Sequence, residues 1–173
     1  MKDYLKLESL DQIAARVAAL LLARGWRLAT AESCTGGLIG HAITNISGSS
    51  AFYQGGVVAY SYEAKTTLLG VSQEMLTAHG AVSHTVAYAM ARGVRQLLGT
   101  EVGIAVTGIA GPTGGTPTKP VGTVYVAISS PRGDETRHYV WDQDRLGNKM
   151  LSAAAALALV LEQLGQVVPI SLQ

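Results

Sequence analysis

The chain is 173 residues long, 48% apolar and only 14% charged, with a formal net charge of +1. That size supports one hydrophobic core and is short for two, and the apolar share excludes a disordered chain. No Lys/Arg run exceeds two residues and the longest apolar stretch, Leu151 to Leu161, falls far short of a bilayer span, so no nucleic-acid and no membrane partner is expected. The single cysteine, Cys34, leaves no disulfide framework and no thiolate metal cluster. Met1-Lys2-Asp3-Tyr4-Leu5-Lys6 carries no apolar leader, and a cytoplasmic protein with one domain over 1–173 is expected.

In chain order, Ser9-Leu10-Asp11-Gln12 is a capping-box signature. Leu10, Ile13, Ala14, Val17 and Leu21 then recur at helical spacing until Gly25 closes the helix after Arg24. Residues 26–31 read as a strand, 36–46 as a helix ending at Ser47-Gly48-Ser49-Ser50, and 56–60 as a second strand. Residues 61–69 read as a helix stopped by Gly70. The next helix follows Ser83, with Val86, Met90, Val94 and Leu97 on one face and Gly99 at its end. Residues 102–107 form a third strand, leading into a Gly/Pro/Thr-rich loop over 108–120. Strands over 122–129 and 135–141 flank Pro131-Arg132-Gly133-Asp134, the composition of a hairpin turn.

The last helix, 146–164, is apolar on most faces and is expected to lie against the sheet or a second subunit, so a homo-oligomer is anticipated. Alternating helices and strands predict helices on both faces of a mixed, mostly parallel sheet of about five strands. In such sheets ligands sit beyond the strand carboxyl ends, where the loops after Ala31, Tyr60 and Thr107 meet.

Ala31-Glu32-Ser33-Cys34-Thr35-Gly36-Gly37 sits at the first of those ends. A strand turning into a helix through small polar residues presents a side chain beside free helix amides. That arrangement suits a nucleophile whose attack creates an oxyanion, and equally a bound phosphate. A serine hydroxyl needs a partner to take its proton. None of His41, His79, His84 and His138 follows a strand end as a triad histidine would. Lysine serves as a base when burial lowers its pKa. Lys65 stands five residues past Tyr60, across a strand-to-helix junction, so both side chains can reach one cleft. Tyr60 would relay a proton or hold the lysine. Spacing alone equally describes Lys65 as a solvated helix residue.

Cys34 is a rival nucleophile, because a thiol at a helix start can have a depressed pKa. A strand–turn–helix should turn only one of Ser33 and Cys34 to the cleft, and spacing does not choose between them. The glycines of the 108–115 loop would let a ligand approach closely, although no P-loop or dinucleotide pattern fits. Arg145 is suited to clamping a phosphate.

Several of these segments in order resemble one family, the CinA C-terminal domain, whose stand-alone form is the PncC-type nicotinamide-nucleotide amidohydrolase (NMN deamidase). The segments are 31–37, Gly55-Gly56-Val57-Val58-Ala59-Tyr60-Ser61, Leu69-Gly70-Val71, Gly80-Ala81-Val82-Ser83, 105–115 and Lys119-Pro120-Val121-Gly122-Thr123-Val124. The resemblance runs from about Ile13 to Leu164. It implies a three-layer α/β/α sandwich, no metal, no cofactor, and hydrolysis of nicotinamide mononucleotide or a related pyridine nucleotide to the acid and ammonia. It implies Ser33 as nucleophile, Lys65 as its base and Tyr60 as helper, with helix amides after Ser33 holding the oxyanion. Thr35, Gly36, Gly48, Thr107, Gly108, Gly111 and Arg145 are the substrate-binding residues expected with it. Two positions depart from the family pattern: Tyr62, where asparagine is common, and Lys149, where arginine is common. The absence of the larger N-terminal domain of full CinA proteins suggests the stand-alone form. A second reading stays open, a non-catalytic nucleotide-binding module acting on a protein partner in competence or DNA-damage response.

Overall fold

The structure, a computed structural model, describes residues 9–165, so the leaderless N-terminus read from Met1–Lys6 lies outside it. Helix α1 (Leu10–Arg24) starts as expected: the Gln12 amide donates to Ser9 Oγ while the Gln12 side chain accepts from the Ser9 amide. Gly25, at φ 62°, ends it. Then follow β1 (Leu28–Glu32), α2 (Leu38–Thr44), a 3-10 turn (Ser49–Ala51) and β2 (Tyr53–Val58). After them come α3 (Tyr62–Leu69), α4 (Gln73–His79), α5 (His84–Leu98), β3 (Val102–Gly108), β4 (Thr123–Ser130), β5 (Gly133–Val140) and α6 (Arg145–Gln163).

The strands form one sheet in the order β2-β1-β3-β4-β5. The β1–β2 and β1–β3 pairs are parallel, while β3–β4 and β4–β5 are antiparallel. Only β4 therefore opposes the other four, and the mixed, mostly parallel α/β sandwich stands.

Period-2 alternation sorts the strand side chains into two layers. Leu28, Ile104, Val106, Val124, Val126 and Ile128 pack with α1, α2 and α6. The small residues Ala29, Ala31, Ala105 and Ala127 face α5 instead. Small side chains on that face let α5 settle close to the sheet.

Helix α6 spends its apolar faces inside one chain, with residues 152–161 all buried against α1, α2 and the sheet. No helix among the described residues is long and apolar enough to cross a membrane.

Besides shifts of one or two residues at other element ends, three differences from the sequence reading have a physical cause. β2 begins three residues earlier than expected, because Gly55 and Gly56 erase its side-chain pattern. A Cβ on Gly56 would collide with the Thr30 and Tyr53 hydroxyls, which hydrogen-bond to each other at 2.7 Å. Helix α4 was not anticipated; Ser72 caps it by accepting from the Met75 amide. The hairpin turn is only Pro131-Arg132, since Gly133 already pairs with Ser130.

Parallel β1, β2 and β3 end side by side. Val140, the end of β5, pairs with Thr123 at the same edge, so the start of α6 joins them there.

Candidate active site

Ser33 follows the last residue of β1, and its amide donates to the Val106 carbonyl of β3 (3.0 Å), which anchors the turn to the sheet. Lys65 comes from α3, whose start is set by Ser61 Oγ accepting from the Ala64 amide. One turn into that helix, the lysine points back over the strand ends and is 1% exposed. Its Nζ lies 2.9 Å from Ser33 Oγ and 2.7 Å from the Ala59 carbonyl, with a longer 3.4 Å contact to the Tyr60 carbonyl. No carboxylate pairs with it among the described residues. Burial is the main influence on its pKa and pushes it below the usual 10.5, against a smaller upward pull from Cys34. A neutral amine has two N–H donors and one lone pair. The protonated amine donates to all three oxygens, whereas the neutral amine can give its two N–H groups to the carbonyls and turn its lone pair to the Ser33 hydroxyl.

Both Ser33 and Cys34 border the cleft, contrary to the expectation that only one would. The Cys34 thiol is nonetheless buried, and burial pushes its pKa up to about 12. Its sulfur lies 3.1 Å from the place a Cβ would occupy on Gly108, where a Val124 methyl and the Thr123 carbonyl stand closer still and require glycine. A thiol so held is protonated at neutral pH and weakly nucleophilic. Cys34→Ala is therefore expected to keep kcat/KM within about tenfold of wild type, at a stability cost of about 1 kcal/mol. Steady-state kinetics and a urea melt check both figures.

Ser33, Tyr60, Lys65, Thr107, Gly108, Gly111 and Arg145 all line one cavity of about 370 Å³, as the sequence reading requires. The Thr107 hydroxyl donates to the Ala81 carbonyl at 2.9 Å. Arg145 donates to the Gly111 carbonyl at 2.6 Å and to the Tyr60 hydroxyl at 3.3 Å. The Tyr60 ring is 63% exposed, so this residue reaches Lys65 through its carbonyl while its hydroxyl serves Arg145. Tyr62 also lines the cavity. A second hollow of about 710 Å³ shares Ala110 and Arg145 with the first and reaches Lys149.

Other expected residues are placed elsewhere. Thr35 is buried, its hydroxyl has no partner among the described residues, and it is not part of the wall. Gly36 (φ 66°) sits beside the Lys149 ammonium rather than on the wall. Gly48 is a correction. It precedes the 3-10 turn leading into β2, at the strand amino ends, because Phe52 already bonds Leu28 where β1 begins. A residue there is a sheet's length from Ser33.

A second correction concerns the oxyanion. The Glu32 carboxylate, 2% exposed, accepts the amides of Gly37, Ile39 and Gly40, so these helix donors are already occupied. The Cys34 and Thr35 amides, in the turn itself, bond to no other residue among the described residues. They are the amides of the turn beside Ser33, the Cys34 one also meeting its own thiol.

Sequence reasoning also passed over Lys119 and Asn148. Lys119 donates to the His79 and Val82 carbonyls (2.8 and 2.7 Å), tying the glycine-rich loop to the segment before α5. Asn148, buried in α6, donates to the Ala110 carbonyl at 3.0 Å. Long-range contacts of this kind leave no local signature.

The fold is a three-layer α/β/α domain whose strand ends set a buried lysine amine against a serine hydroxyl. Residues 10–164 match the profile of the CinA C-terminal domain, and the chain belongs to that family.

A CinA-like protein of Salinibacter ruber is 56% identical over 137 residues, which are 79% of this chain and 33% of that protein. A putative competence-damage inducible protein of Moorella thermoacetica is 49% identical over 162 residues, 94% of this chain and 39% of that one. The chain thus spans 33–39% of the length of these curated relatives. Among solved structures, a CinA superfamily protein from Klebsiella pneumoniae is similar at TM-score 0.87 and 39% identity, covering 91% of this chain and 98% of that one. One from Escherichia coli has TM-score 0.86 and 35% identity, covering 91% of each chain.

Proposed function

We propose that this domain is an amidohydrolase that converts the carboxamide of nicotinamide mononucleotide, or of a related pyridine nucleotide, to the acid and ammonia. The observation that carries the reading is the 2.9 Å approach of the buried, uncompensated Lys65 amine to Ser33 Oγ.

Neutral Lys65 takes the Ser33 proton as Oγ attacks the amide carbon. The tetrahedral oxyanion is held by backbone amides of the turn beside Ser33. Collapse breaks the C–N bond, and protonated Lys65 delivers its proton to the leaving nitrogen, releasing ammonia. Water then attacks the ester and gives its proton to Lys65; collapse breaks the C–Oγ bond, Lys65 returns that proton to Ser33 Oγ, and the acid departs. Gly108, Gly111 and Thr107 bound the reacting end, and Arg145 and Lys149 supply positive charge for the phosphate. Lysine at 149 keeps that charge without the bidentate fork of an arginine.

Incubation with nicotinamide mononucleotide should release ammonia, with Ser33→Ala slower by about 10⁴-fold or more. Equal release by the two proteins would remove the reading. The relatives' competence and damage names keep open the alternative of a non-catalytic module that acts on a partner in competence or DNA-damage response. That alternative requires the nucleotide to bind and remain intact for hours.

A further inference from the structure

The carboxylate of Glu32 adjoins the proposed nucleophile, is buried, and takes no part in the chemistry above. Its Oε2 accepts from the Gly37 and Ile39 amides (3.0 and 3.1 Å), and its Oε1 accepts from the Gly40 amide (2.9 Å). The residue's backbone is committed too. Its carbonyl accepts from the Ala59 amide at 2.9 Å, and the Ala59 carbonyl in turn accepts from Lys65 Nζ at 2.7 Å. One residue thus touches both halves of the pair: the side chain pins the far end of the turn carrying Ser33, and the main chain holds the strand end on which Lys65 rests.

The turn needs such a pin. Helix α2 has only seven residues, and its N-cap is Gly37, which has no side chain to cap it. Gly36 and Gly37 both stand at positive φ (66° and 96°), and the Gly36 amide donates to the Ser33 carbonyl at 3.1 Å. Two consecutive glycines leave a turn many conformations unless something outside them selects one. An ordinary cap comes from the residue that starts the helix and leaves the preceding loop free. Here the capping carboxylate lies on the residue before Ser33, so capping the helix and fixing the serine are one constraint.

We infer that Glu32 is a positioning residue for the proposed amidohydrolase reaction: its carboxylate holds the 33–37 turn in the one conformation that keeps Ser33 Oγ within reach of the Lys65 amine. The inference rests on the reading of the site as an amidohydrolase.

Glu32→Gln keeps the size of the side chain but turns an NH2 group toward backbone N–H donors, so at least one of the three bonds is lost. Reacting groups misplaced by about 1 Å lose on the order of 10²-fold in rate. The expected result is kcat for nicotinamide mononucleotide lower by about 10- to 100-fold, with KM within about threefold. Titration with nicotinate mononucleotide should still count one product site per chain. Loss of kcat and product sites in proportion marks unfolded protein, whereas a folded variant with kcat within about twofold of wild type overturns the inference. Should Glu32→Gln fail to fold, Glu32→Asp is measured in the same way. It keeps the charge one methylene short, so a smaller loss of kcat is expected, and wild-type kcat there also overturns the inference. Wild-type protein that releases no ammonia overturns the amidohydrolase reading and this inference with it. Active wild type with an unaffected Glu32→Gln overturns the inference alone.

Discussion

Lys65→Met should slow ammonia release by about 10⁴-fold or more and at the same time make the fold more stable. Both effects follow from one fact, that the amine is buried without a countercharge. Without it Ser33 has no proton acceptor, since no histidine among the described residues lines the cavity. The stability gain, about 0.5–2 kcal/mol, is the usual size when a functional group kept at a cost is replaced.

Its pH dependence fixes the sign. Burial lowers the pKa of Lys65 in the folded protein below the unfolded 10.5. Below the folded pKa both states hold the proton, and the native state carries the whole penalty of a buried charge. As pH rises through that value toward 10.5, the unfolded chain holds a proton the native state lacks, and stability increases. The advantage of Lys65→Met should therefore be greatest at low pH and shrink as pH approaches 10.5. Over the same range wild-type kcat/KM should rise with pH, with a midpoint below 10.5. Urea melts of both proteins in a pH series, read beside the kinetics, test this. A Lys65→Met variant keeping even a tenth of wild-type activity is incompatible with the Ser–Lys mechanism.

Gly93→Ala should cost about 3 kcal/mol, although helix propensity alone favours the change by about 1 kcal/mol. Gly93 lies within α5, and a Cβ there would lie inside contact distance of the Leu69 carbonyl, the last residue of α3. The obstacle is backbone, so no rotamer relieves it; the two helices must separate. Because α3 also carries Lys65, the separation should draw the amine away from Ser33 and lower kcat along with stability. Urea denaturation gives the first quantity and ammonia release the second. A variant as stable as wild type would mean that α5 and α3 are not in such close contact.

What the sequence determined by itself is the set of features encoded within a few residues. The Ser9/Gln12 capping box, the glycine stops at Gly25, Gly70 and Gly99, and the alternation of helices and strands all reappear in the fold. Local order also placed Ser33 and the 61–69 helix correctly at strand ends. The ordered motifs identified the family, and the profile match bears that out.

The sequence left Lys65 equally readable as a solvated residue, left Ser33 and Cys34 unresolved, and assigned the helix amides to an oxyanion. Only the tertiary structure decided these points, because each depends on burial or on contacts distant in sequence. Parallel β1 and β2 lay Ala59 beside Glu32, and this register turns Lys65 inward onto Ser33. Packing against Gly108, 74 positions later in the chain, buries the Cys34 thiol. The reach of Glu32 to amides five to eight residues onward requires a turn whose path two glycines leave open and only the fold selects.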